Sequence, residues 1–153
     1  MNRVASAEPA LEITRIINAP RALVFDAWTK PEHIVRWFGP KDFTVPEHMM
    51  EFREGGRYRF VMRSPAGVLH PVYGVYKKIS PPELIVFTWE REDEEGKDGS
   101  GTIVTVRLEE HGRKTKLTLH QATFRSVDGR DSHYGGWTEC LERLAAYAER
   151  AAA

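Results

Sequence analysis

Six histidines (His33, His48, His70, His111, His120 and His133), one cysteine (Cys140) and several crowded charges are the residues of this chain able to do chemistry. An imidazole titrates near neutral pH, so a histidine turned into a cavity would serve as acid or base. His120 is one such position. It stands beside Gln121 in an alternating run, and the strand register decides which of the two turns inward. His133 and Tyr134 precede Gly135-Gly136 and would bring polar groups to the mouth of a cleft. No His-Glu-x-x-His arrangement and no closed zinc spacing occurs, so no metal is expected. Cys140 lies on an apolar helical stripe, where a thiol behaves as a small hydrophobe. There is no phosphate-cradling glycine loop and no nucleophile elbow. The sequence therefore assigns no catalytic residue and no cofactor.

The charged clusters read as surface. Glu90, Glu92, Asp93, Glu94, Glu95 and Asp98 crowd one segment without the alternating ligands, central glycine and terminal Glu of a calcium loop. A solvated hairpin tip is expected there. Arg57, Arg59 and Arg63 share one strand face and Glu47 and Glu51 another, a pattern that predicts cross-strand ion pairs on the outside of a sheet.

The aromatic residues point to a different chemistry. Trp37, Phe38, Tyr58, Phe60, Trp89 and Trp137 would line an apolar pocket, with Gly136 and Leu141 beside Trp137 on the same helix. Apolar burial drives the affinity of such a pocket and a few polar groups orient the ligand. The same residues would also serve as plain core. Gly135-Gly136 is expected to open the last helix, where each glycine costs about 0.5–1 kcal/mol relative to alanine. That cost implies close backbone approach or space kept for a ligand.

Those residues need elements to position them. Leu11 to Ile16 alternates apolar with polar and predicts a half-buried strand. Asn18-Ala19-Pro20 starts a helix carrying Val24, Ala27 and Trp28 on one stripe. A second short helix follows Pro31, with Ile34, Trp37 and Phe38 at helical spacing, and Gly39-Pro40 ends it. From Phe43 onward the period becomes two, in six strand-like runs separated by glycine and proline turns. Short turns between consecutive strands force antiparallel pairing. The chain closes with an amphipathic helix from about Asp131 to Arg150, whose apolar stripe is Trp137, Cys140, Leu141, Leu144, Tyr147 and Ala148. Glu139 and Arg143 are four apart on its outer side and are expected to pair.

The fold class is thus α+β: a curved antiparallel sheet of about seven strands around a long C-terminal helix, with two short helices. Seven strands at ~4.8 Å spacing make a sheet over 30 Å wide, which must curl. A single helix about 10–12 Å across leaves space beside it. This predicts a cavity between sheet and helix.

The chain has 153 residues with 22 Lys plus Arg and 22 Asp plus Glu, so the formal charge is zero. One domain over residues 11–151 is expected, after a flexible N-terminus of residues 1–10. Zero net charge gives no electrostatic footprint for nucleic acid. No apolar run reaches the roughly 18 residues of a spanning helix, and no signal peptide is apparent. A cytoplasmic protein without membrane insertion is expected. A homodimer is compatible with this size.

Trp37-Phe38-Gly39-Pro40, the run Phe52 to Phe60, Gly74-Val75-Tyr76, Phe87-Thr88-Trp89 and His133-Tyr134-Gly135-Gly136-Trp137, with Leu141 and Leu144, resemble one family. It is the family named after the C-terminal part of the activator of the heat-shock protein 90 ATPase, within the START-like, Bet v 1-like superfamily (SRPBCC). The resemblance spans about Glu12 to Arg150. It implies the helix-grip fold, in which the sheet wraps the C-terminal helix over a hydrophobic cavity. It also implies binding of lipid-like or aromatic small molecules, with cyclases among the superfamily's members. The chain is too short for the additional N-terminal domain of the eukaryotic-type co-chaperone, which counts against a chaperone partner. The expectation is a binding protein for a hydrophobic metabolite. The alternatives are a cyclase- or hydrolase-type enzyme using a cavity His, Tyr or Glu, and a co-chaperone-like interaction module.

Overall fold

The computed structural model describes residues 9–94 and 100–153. Most of the expected frayed N-terminus and the expected hairpin tip at Glu95 and Asp98 lie outside the described residues.

Strand β1 (Leu11–Ile17) buries its two end residues and is followed by α1 (Arg21–Thr29) and α2 (Pro31–Ile34). Pro20 caps α1 with an extended backbone, and Pro31 takes the first position of α2, where a missing N–H costs nothing. The chain then tightens through Trp37 and Phe38, whose amides both donate to the Ile34 carbonyl. Gly39 ends this turn with φ +106. A Cβ there would also come within 3.1 Å of the Phe43 Cβ, so both backbone and packing call for glycine.

Six strands follow: β2 (Thr44–Met50), β3 (Arg57–Arg63), β4 (Leu69–Ser80), β5 (Leu84–Arg91), β6 (Thr102–His111) and β7 (Lys114–Ala122). They join β1 in one 7-stranded sheet of order β1-β7-β6-β5-β4-β3-β2. Every neighbouring pair is antiparallel. The curved sheet and long C-terminal helix form the expected helix-grip architecture. The predicted outer-face pairing is present in Arg59, which bridges Glu47 at 2.8 Å and Glu92 at 2.6 Å.

The closing helix α3 (Val127–Ala152) starts four residues earlier than the sequence suggests. Ser126 is its N-cap, its hydroxyl accepting from the Gly129 amide at 3.0 Å. Gly135 and Gly136 are therefore interior to the helix, not at its opening. The expected Glu139–Arg143 pairing is also corrected. Glu139 accepts from the Lys41 amide at 3.0 Å, while Arg143 donates to the Gly39 and Pro40 carbonyls at 3.0 and 2.9 Å. Both charges hold the loop that follows α2 instead of each other. Among the described residues no helix is long and apolar enough to cross a membrane.

Candidate functional site

Between sheet and helix the interior is nearly filled. Trp28 packs edge-on against Trp37, with ring centres 4.7 Å apart, and Phe38 packs against Phe60 at 5.0 Å. The space left among Trp28, Phe38, Tyr58, Phe60, Tyr76 and Phe87 is about 10 Å³, room for no organic guest. The cavity expected along the length of α3 is thus closed in its middle by aromatic side chains. The open space lies at one end instead. It is a cleft of about 210 Å³ between the loop after α2, strands β3 to β5 and the N-terminal half of α3.

Period-two alternation turns Trp89 and Arg91 of β5 to the same side, and both line the cleft. Met62 of β3 and His70 of β4 extend that wall. Phe38, Pro40 and Phe43 form the opposite rim. Helical spacing brings His133, Gly136, Trp137 and Cys140 to one face of α3, which closes the cleft from above.

The polar groups differ in how they are satisfied. The Trp137 indole N–H donates to Gln121 Oε1 at 2.7 Å, and Gln121 Nε2 donates to Thr102 Oγ1 at 2.8 Å. All three residues are buried, so this chain fixes the Trp137 ring. The Trp37 N–H donates to the Ala27 carbonyl at 3.1 Å. Trp89 is 4% exposed, yet its N–H meets no acceptor among the described residues. His133 donates Nδ1–H to the Gly129 carbonyl at 2.9 Å and lies edge-on to Trp89.

Arg91 is gripped by Asp93, at 2.8 Å from Nη2 to Oδ2 and 3.2 Å from Nε to Oδ1. His70 Nδ1 is 3.2 Å from the same Oδ2 and 3.3 Å from Arg91 Nη2. Partial burial of Asp93 opposes its ionisation, but the hydrogen bonds and charge of Arg91, with the bond to His70, outweigh this and hold its carboxyl below the usual range. Burial pushes the Cys140 thiol up to about 12 although its sulfur accepts from the Gly39 amide at 3.3 Å. A thiol so rarely ionised at neutral pH is no nucleophile. Burial, with Tyr76 and Glu90 nearby, also raises Tyr58, whose hydroxyl donates to the Thr88 carbonyl. Among the described residues no group of three or more His, Cys, Asp or Glu could hold a metal ion.

Of the residues singled out in the sequence, Phe38, Trp89, His133, Gly136 and Trp137 line the cleft. Tyr58 and Phe60 border only the small inner gap. Trp37 and Leu141 are fully buried core and touch neither space. Tyr134 is 48% exposed on the outer side of α3. His120 is corrected as well. It takes the opposite sheet face from the buried Leu119 and Gln121, across from Glu12 and Thr105. Arg91, His70, Met62 and Phe43 line the cleft without having been singled out for it. Arg91 and Trp89 at i and i+2 on one strand were the available signal.

Residues 18–149 match the family described as Activator of Hsp90 ATPase homolog 1-like protein. The chain belongs to that family. Solved relatives share its fold. A protein from Chromobacterium violaceum is 25% identical, with a TM-score of 0.83 over 92% of this chain and 96% of that one. The AHSA1 protein of Silicibacter pomeroyi is 26% identical, with a TM-score of 0.81 over 90% of this chain and 96% of that one. A protein from Rhizobium leguminosarum is 28% identical, with a TM-score of 0.76 over 94% and 95%. None of the curated proteins matches the chain. Membership in the Activator of Hsp90 ATPase homolog 1-like family, with its START and Bet v 1-like fold, makes this a ligand-binding or interaction module in general terms.

Proposed function

We propose that this family member binds a small hydrophobic or aromatic metabolite in the cleft at the end of α3 and releases it unchanged. The observation that carries this reading is the cleft itself, about 210 Å³ walled by Phe38, Trp89 and Trp137, against about 10 Å³ left in the aromatic middle of the interior. Three large aromatic surfaces supply the apolar burial that drives small-ligand affinity. The Cys140 thiol at the cleft stays protonated, and the Tyr58 hydroxyl of the inner gap is tied to a carbonyl. The reading places the protein in the cytoplasm, acting without a cofactor, nucleic acid or membrane-inserted segment.

Gly136 gives the test. A Cβ there would lie 3.7 Å from Pro40 Cγ, an ordinary contact, so this cleft-lining position accepts the first carbon of a side chain. Native mass spectrometry of freshly purified protein should show a bound small molecule that Gly136→Leu excludes while remaining folded. Equal occupancy in both proteins would move the ligand elsewhere and overturn the reading.

A further inference from the structure

The polar end of the cleft carries more information than its aromatic walls. Trp89 and Arg91 lie two residues apart on the same face of β5, and both line the cleft. The Trp89 N–H is a buried donor whose acceptor is missing among the described residues, a state that costs free energy unless something supplies one. Trp37 and Trp137 both have their acceptors; Trp28 also lacks one among the described residues but borders only the small inner gap, so of the tryptophans that line the cleft Trp89 alone carries the deficit. Arg91 adds a positive charge with its side chain 16% exposed. Arg91 lines the cleft, whereas its counter-ion Asp93 is not among the cleft-lining residues.

Size limits the rest. A cavity of about 150 Å³ holds benzene. The cleft's 210 Å³ therefore admits one aromatic ring with a short substituent and excludes a long acyl chain from full burial. We infer that the cleft selects small aromatic carboxylates, the ring lying among Phe38, Trp89 and Trp137 and the acid group accepting from Trp89 Nε1–H and the Arg91 guanidinium. A carboxylate matches this end because it has only acceptors to offer, and hydrogen bonds to charged groups are stronger than neutral ones. This inference rests on the binding role proposed above and adds the ligand's chemical class.

Three probes of similar size separate the possibilities: phenylacetate, its neutral amide phenylacetamide, and ethylbenzene, each titrated against the full-length protein by calorimetry or ligand-observed NMR. The expected order is phenylacetate tighter than phenylacetamide, and phenylacetamide tighter than ethylbenzene. Trp89→Phe keeps the ring and removes the donor, and should weaken phenylacetate by about three- to tenfold. Arg91→Gln should weaken it by about tenfold or more and leave ethylbenzene unchanged. Thermal unfolding of both variants checks that they remain folded. Ethylbenzene or phenylacetamide binding as tightly as phenylacetate would overturn the acid preference and leave the cleft standing as a binding site. So would undiminished phenylacetate binding by both variants. Failure of all three probes to bind would count against the cleft as a binding site, and the acid preference would fall with it.

Discussion

The Arg143 guanidinium reaches from the middle of α3 to the Pro40 carbonyl, 2.9 Å away and 103 residues earlier in the chain. The same nitrogen approaches the Gly39 carbonyl at 3.0 Å and that of Phe38 at 3.4 Å, while Glu139 takes the Lys41 amide. Two charges four residues apart thus hold the strap that carries Phe38 and forms one rim of the cleft. Arg143→Leu is expected to cost about 1–3 kcal/mol, the range for losing charge-assisted hydrogen bonds. Amide exchange over residues 38–43 should rise with it. Unchanged protection of that segment would show that the strap holds itself.

The tryptophans provide an internal contrast. Trp137→Phe leaves Gln121 Oε1 buried without its donor and should destabilise the protein by about 1–3 kcal/mol in denaturant titrations. Trp137→Ala adds a large cavity and should cost about 3–5 kcal/mol. Trp89→Phe removes a donor that has no acceptor among the described residues and should cost under about 1 kcal/mol without ligand. Equal losses for the two Phe variants would refute the contrast between a satisfied Trp137 and an unsatisfied Trp89.

Glycine within α3 has a measurable price. A Cβ at Gly135 meets nothing within 4 Å, so Gly135→Ala should stabilise the helix by about 0.5–1 kcal/mol. A destabilised Gly135→Ala protein would reveal a packing role for this glycine.

Acid should weaken the Arg91–Asp93 arrangement in a defined direction. The Asp93 pKa is lower in the folded protein than in the unfolded chain, so its contribution to stability is present above the ordinary carboxylate value of ~3.9. It fades as pH falls through the lowered folded value. Asp93→Asn should therefore be less stable than the parent at pH 7, with the difference closing at strongly acid pH. A constant difference across that range would mean that the ionisation of Asp93 contributes nothing.

Much of this architecture is legible in local patterns. The period-two runs from Phe43 onward announce six strands, short turns force them antiparallel, and the helical stripe from Trp137 to Ala148 marks the closing helix. What sequence leaves open depends on register and on distant partners. Whether His120 or Gln121 faces inward turns on a one-residue slip, and the pairing of Leu119 with Val106 and Ile13 settles it for Gln121. The start of α3 is obscured because Ser126 caps a first turn that includes Gly129, a poor helix former. The cleft's position at one end of α3 follows from how the rings of Trp28, Trp37 and Phe38 fill the middle, which no spacing rule reports. Arg143 looks locally like a partner for Glu139 because the loop it grips lies 103 residues away.

The most direct test of ligand binding in the cleft is a titration of the ¹⁵N-labelled protein with a small aromatic ligand, following the four tryptophan indole N–H signals. Trp89 and Trp137 line the cleft, whereas Trp37 is fully buried and bound to the Ala27 carbonyl. Binding in the cleft predicts saturable shifts at Trp89 and Trp137 with Trp37 unmoved. Shifts confined to Trp37, or no saturable shift at Trp89 and Trp137 with any small aromatic tried, would contradict it.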